Sequence, residues 1–173
     1  MKTQIFALDT GTLIRILRRK PDTVAFAKFT DAVVNDADEV YILGDFAYRG
    51  QAEQVNDILK KLKGRKYLIK GNHELYLKDR DFDASAFEWI KDYHVLKYKD
   101  ARFVLFHFPI LEWAYYHYKT AHLHGHIHNR LFNHPNAKAI NVSVDCNAFY
   151  PVSADAIYAR AFTNFVEQEV SDE

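Results

Sequence analysis

Five short apolar runs in this chain each stop at residues that can hold a cation. Ile5–Leu8 runs into Asp9, Val40–Leu43 into Gly44-Asp45, and Tyr67–Lys70 into Gly71-Asn72-His73-Glu74. Phe103–Phe106 runs into His107, and Thr120–His124 into Gly125-His126-Ile127-His128. Short runs rich in branched and aromatic side chains read as buried strands. Between them lie segments of helical period, as where Val55, Ile58, Leu59 and Leu62 repeat at i, i+3, i+4 and i+7. This alternation is the signature of a layered α/β domain. In sheets with crossover helices, ligands collect outside the carboxyl ends of strands. The pattern therefore delivers Asp9, Asp45, Asn72, His107, His126 and His128 to one rim.

The other elements follow from the same reading. Thr23, Phe26, Phe29, Val33 and Val34 mark a helical stripe that Asp22 or Thr23 would cap. Lys60, Lys61 and Lys63 end the helix around Val55–Leu62, with Gly64 just beyond, as the helix dipole and C-terminal turn geometry prefer. Strands are expected at Ile5–Leu8, Glu39–Leu43 and Lys66–Lys70. A short helix is expected around Phe87 and Ile90, and a hairpin of Tyr93–Tyr98 with Arg102–Phe106 turning at Lys99-Asp100. Two later strands, Thr120–His124 and Lys138–Val144, precede a final helix over Ser153–Phe165. With no internal repeat and no linker-like stretch, the 173 residues read as one domain spanning 1–173.

The residue types at the rim choose the chemistry. Carboxylate and amide oxygens with imidazole nitrogens suit borderline-to-hard divalent ions: manganese, iron, zinc, nickel or cobalt. One carboxylate can bridge two such ions about 3.5–4 Å apart. The single cysteine, Cys146, excludes an internal disulfide and a cysteine-rich zinc site, and reads as a small buried hydrophobe. Lys plus Arg and Asp plus Glu both equal 23, so there is no basic excess for dedicated duplex binding. The apolar start at Ile5–Leu8 is shorter than a signal-peptide core of about 7–15 residues. The longest apolar tract, Phe103–Tyr116, is broken by His107 and Glu112 and falls short of the ~20 residues that span a bilayer. The expectation is a soluble, cytoplasmic protein with no membrane partner.

From Asp9 through Gly44-Asp45, Gly71-Asn72-His73-Glu74 and His107 to Gly125-His126-Ile127-His128, the motif order resembles the calcineurin-like metallophosphoesterase superfamily. The segment Asn141-Val142-Ser143-Val144-Asp145, followed by Tyr150-Pro151-Val152-Ser153, is similar to its small bacterial and phage-type members. The resemblance implies a four-layer α/β/β/α sandwich of two mixed sheets, binding one or two divalent ions per chain, manganese foremost. It implies that Asp45 bridges the ions. Asp9 and His128 would hold the first, and Asn72, His107 and His126 the second. His73 is the family's non-ligand histidine, placed to protonate the leaving oxygen as a hydroxide held by the metals attacks phosphorus. Imidazole titrates near working pH, so it can supply that proton. The implied substrate is a small phosphate ester, a phosphodiester more readily than a monoester, with nucleotides among the candidates.

One position departs from the family pattern. The first motif usually reads Asp-x-His, whereas this chain reads Asp9-Thr10-Gly11. Three outcomes stay open: a weakly held first ion, a second ion acting alone, or an inactive member that uses the fold for binding. Of the remaining histidines, His124 reads as a structural residue near the site and His122 as more remote. His94, His117 and His134 read as ordinary surface or core residues. Phe108, Trp113, Tyr115, Tyr116 and Tyr118 form either a base-stacking wall or a half-buried segment capping the sandwich. Arg15, Arg18, Arg19 and Lys20 read as a solvated helix face, and Arg49 as a candidate contact for a substrate phosphate.

Overall fold

Side chains one apart on the first strands go to two different cores, and this alternation builds the molecule. In the computed structural model, which describes residues 3–9, 32–47, 51–130 and 134–163, Phe6 and Leu8 of β1 (Ile5–Leu8) enter one apolar cluster and Ala7 the other. Val40 and Ile42 of β2 (Glu39–Ile42) join the first cluster, and Tyr41 the second. In β3 (Arg65–Ile69), Leu68 joins the first, and Tyr67 and Ile69 the second. A strand with both faces apolar must be covered on both sides, because its side chains alternate with period two.

Among the described residues, two sheets and two helices meet that demand. β1, β2 and β3 are mutually parallel, with Ile5 opposite Glu39 and Glu39 opposite Arg65. β4 (Trp89–Lys91) adds a parallel edge and β9 (Val152–Ser153) an antiparallel one. The second sheet runs β5 (Tyr93–Tyr98), β6 (Ala101–Phe106), β7 (Thr120–His124), β8 (Ala139–Asn141), with only β5–β6 antiparallel. Phe103, Leu105, Leu123 and Ile140 face Tyr41, Tyr67 and Ile69 across the sandwich, where the Tyr41 and Tyr67 rings stack at 4.7 Å. Helix α1 (Ala52–Lys61) lays Val55 and Leu59 on the outer face of the first sheet. Helix α2 (Ala154–Phe162), capped by the Ser153 hydroxyl, contributes Ala154, Ile157 and Ala161 to the inter-sheet core. This is the mixed α/β sandwich of two mixed sheets that the motif order implied.

Three expectations need correction. The segment after Asp83 is a 3-10 turn (Ala84–Ala86) followed by β4, not a helix around Phe87 and Ile90. Phe87 and Ile90 have helical spacing, but Tyr67, Leu68 and Ile69 offer an open strand edge to Trp89, Ile90 and Lys91. The strand expected over 138–144 is only Ala139–Asn141, after which Val144–Cys146 turns as a 3-10 segment. Cys146 is exposed rather than buried. The stripe from Thr23 to Phe29, Arg15 to Lys20, Gly11, Arg49 and the end of the final helix lie outside the described residues.

Among the described residues, no helix is long and apolar enough to cross a membrane. The outer face of the second sheet carries the aromatic segment. Buried Trp113 donates its indole N–H to Thr120 Oγ1 at 3.0 Å and lies 5.4 Å from the His122 ring. His134 pins the same segment through the Ile110 carbonyl, 3.0 Å from its Nε2.

Candidate active site

Parallel pairing puts the carboxyl ends of β1, β2 and β3 on one edge, and those of β6 and β7 on the matching edge of the second sheet. The residues after those ends therefore meet. Gly44 (φ +91°) turns the chain out of β2, and a Cβ there would collide with the His107 ring. Asp45 follows with φ 52°, a left-handed conformation that costs a non-glycine residue energy and is retained where function sets the backbone. His126 (φ 66°) and His128 (φ 54°) sit in the same strained region beyond β7.

His107 is fully buried and anchored from behind: its Nδ1 lies 2.7 Å from the Leu43 carbonyl, to which it donates. That bond fixes the tautomer and leaves Nε2 with a lone pair. Nε2 lies 3.0 Å from Asn72 Oδ1, 3.1 Å from His126 Nδ1 and 3.5 Å from Asp45 Oδ1. Asn72 Oδ1 is in turn 2.9 Å from His126 Nδ1. Burial holds the His107 imidazole below its ordinary pKa, and burial and the neighbouring His107 do the same for His126. The His107 Nε2 lone pair, the Asn72 amide oxygen and His126 Nδ1 thus crowd one point beside the Asp45 carboxylate, an arrangement that a positive charge would relieve. Asp45, His107 and His126 could share one cation by spacing alone. Mixed oxygen and nitrogen donors without a thiolate fit the divalent ions expected from the sequence.

The other candidates surround this point. Asp9 is buried, and its Oδ2 accepts the His126 backbone N–H at 2.8 Å and the Ser143 hydroxyl at 2.9 Å. A Cβ on Gly125 would fall on that carboxylate, so only glycine lets β7 pass so close. His73 donates its backbone N–H to Asp45 Oδ1 at 3.2 Å, with its side chain half-buried at the rim. His128 does not join the His107–His126 point; its Nδ1 stands 3.4 Å from Asp145 Oδ2. His122 and His124 are buried, their rings 5.3 Å apart. His122 addresses the Val104 and Phe108 carbonyls, each at 3.1 Å.

Two residues gain roles that the motif reading did not assign. Glu74 is buried and takes the Phe46 N–H on one oxygen (2.9 Å) and the Gly71 N–H on the other (2.7 Å). It thereby clamps the Asp45 turn to the Asn72 turn. Its place two residues after a candidate ligand was the available signal, since a carboxylate there can reach back to turn N–H groups. The other is Phe108, whose ring lies 4.6 Å from the His126 ring and 4.8 Å from His107. Of the aromatic stretch, Trp113 packs inward, Tyr115 and Tyr118 face solvent, and Phe108 borders the site.

Comparison with known proteins places the chain by fold and family. The chain is 32% identical over 146 residues to uncharacterized protein MJ1445 of Methanocaldococcus jannaschii, covering 81% of this chain and 75% of that protein. Its fold is similar to the crystal structure of AQ665, a protein of unknown function from Aquifex aeolicus, with a TM-score of 0.67 and 22% identity. That match covers 90% of this chain and 98% of the other. Residues 11–124 match the calcineurin-like phosphoesterase profile, and it is to this family that the chain belongs.

Proposed function

We propose that the protein is a cation-dependent phosphoesterase that cleaves a small phosphate ester, a diester in preference to a monoester, with nucleotides among its substrates. The observation that carries this reading is the convergence of His107 Nε2, His126 Nδ1 and Asn72 Oδ1 beside Asp45. Asp45, Asn72, His107 and His126 would hold one divalent ion. Asp9, Asp45 and His128 would hold another. When bound, such ions neutralise phosphoryl charge and acidify water enough to make it a nucleophile near neutral pH.

The chain's own residues do the rest. His107 is oriented by the Leu43 carbonyl and needs no rearrangement to present its lone pair. His73, tied by its backbone to Asp45, stands at the rim where it can give a proton to the departing oxygen. The diester preference rests on family likeness. A neutral net charge favours a compact substrate over a long nucleic-acid strand.

Hydrolysis of bis- and mono-p-nitrophenyl phosphate with and without manganese tests the reading. The expected result is manganese-dependent turnover, faster on the diester; no turnover of either ester overturns it. His73→Ala should keep its cations and lose about 10²–10⁴-fold in turnover, the usual worth of a general acid. A second reading, a cation-binding module without turnover, is favoured by one feature: the imidazole usual in the first motif is replaced by Gly11.

A further inference from the structure

With Gly11 in the first motif, the first ion of the proposed pair loses one imidazole, and more depends on how His128 is held. His128 sits in a socket made by a single short segment, residues 141–147. Asn141 Nδ2 donates to the His128 carbonyl at 2.7 Å, and Cys146 Sγ donates to the same oxygen at 3.1 Å. Asn141 Oδ1 accepts the Ser143 N–H at 2.9 Å, and Asn147 Nδ2 donates to the Ser143 carbonyl at 2.8 Å. These bonds shape the turn that carries Asp145, a largely buried carboxylate, to within 3.4 Å of His128 Nδ1. The same turn is bonded to the β1 end, where Val144 N–H donates to the Asp9 carbonyl at 3.1 Å.

We propose that Asp145 is a positioning residue for the first cation. Its carboxylate accepts the Nδ1 proton of His128, fixes that tautomer, and leaves Nε2 as the nitrogen with the lone pair. The inference rests on the cation-dependent reading above. His107 provides the internal parallel, with Nδ1 on the Leu43 carbonyl and Nε2 toward the candidate cation. A carboxylate behind an imidazole does more than a carbonyl, because its charge also raises the basicity of the far nitrogen. At 3.4 Å the contact is slightly longer than a formed hydrogen bond, within a few tenths of an ångström of one, and a cation on the far nitrogen would strengthen Nδ1–H as a donor to that carboxylate. In a chain without the first-motif histidine, this reinforcement offsets part of the lost affinity.

The test needs no turnover. Nitrogen-15 NMR of the imidazoles in metal-free protein should show His128 as the Nδ1–H tautomer, and Asp145→Ala should abolish that preference. Asp145→Glu should largely restore it. In manganese titrations followed by electron paramagnetic resonance, the wild type should bind two ions of unequal affinity. Asp145→Ala should weaken the looser one by about 10–100-fold and leave the tighter one unchanged. Should the alanine variant fail to fold, Asp145→Asn keeps the shape and should shift both readouts in the same direction by less. An unchanged His128 tautomer overturns the proposal whatever the cation does. A wild type that binds no manganese overturns the phosphoesterase reading instead.

Discussion

Glu74 shows how far the site depends on a side chain that touches none of the proposed cations. Its two oxygens satisfy two backbone N–H groups of neighbouring turns, and burial pushes its acid up to about 7. Glu74→Ala leaves both donors unpaired, each at a cost of about 1–3 kcal/mol. A loss of about 2–6 kcal/mol should appear in urea unfolding. The raised pKa also sets a sign. A carboxyl that ionises later in the folded state adds stability that is full below about pH 4.5 and is lost as the pH rises through about 7. In chelator, the stability advantage of wild type over Glu74→Gln should therefore shrink by up to about 3 kcal/mol across that range; an advantage that grows would contradict it. At this scale the sequence was legible where chemistry is a matter of residue type, as at Asp45, Asn72 and His107. It placed Glu74 and Asp145 within motifs without giving their roles, because those roles lie in the backbone donors or imidazole they face.

The strand β7 and the aromatic segment over it form the element that acid should unsettle first. His122 and His124 are buried on β7, and burial pulls each imidazole down to about 4. Groups that take up protons less readily when folded give stability that is present above about pH 6.5 and lost as the pH falls through about 4. Each contributes about 3 kcal/mol over that interval, opposite in sign to Glu74, and two groups outweigh one. His122→Asn should move the acid-unfolding midpoint to lower pH, as followed by near-ultraviolet circular dichroism; a move upward would contradict it. The hairpin β5–β6 and the strands β1 and β7 were readable from apolar runs and turn residues. β4 was not, because Phe87 and Ile90 suit either a helix or a strand and the edge of β3 decided between them.

The two sheets meet at their carboxyl rims, where the first supplies Asp45 and Asn72 and the second His107 and His126. A cation bound there links both halves of the sandwich, so binding becomes folding stability. At a manganese concentration about 100-fold above its dissociation constant, the gain is about 2.7 kcal/mol. The melting temperature should rise with manganese and fall back with chelator. A melting temperature indifferent to both would contradict the shared site. The sequence alone determined the strand–helix alternation, the two-sided apolar strands and the kinds of donor atoms at each strand end. These are properties of side-chain type and of period along a chain. Only the tertiary structure decided that His107 turns Nε2 inward, that His128 faces Asp145, and that Glu74 ties two turns together. Such pairings join residues far apart in the chain or aimed by left-handed turns, and strand register and packing alone bring those atoms within bonding reach.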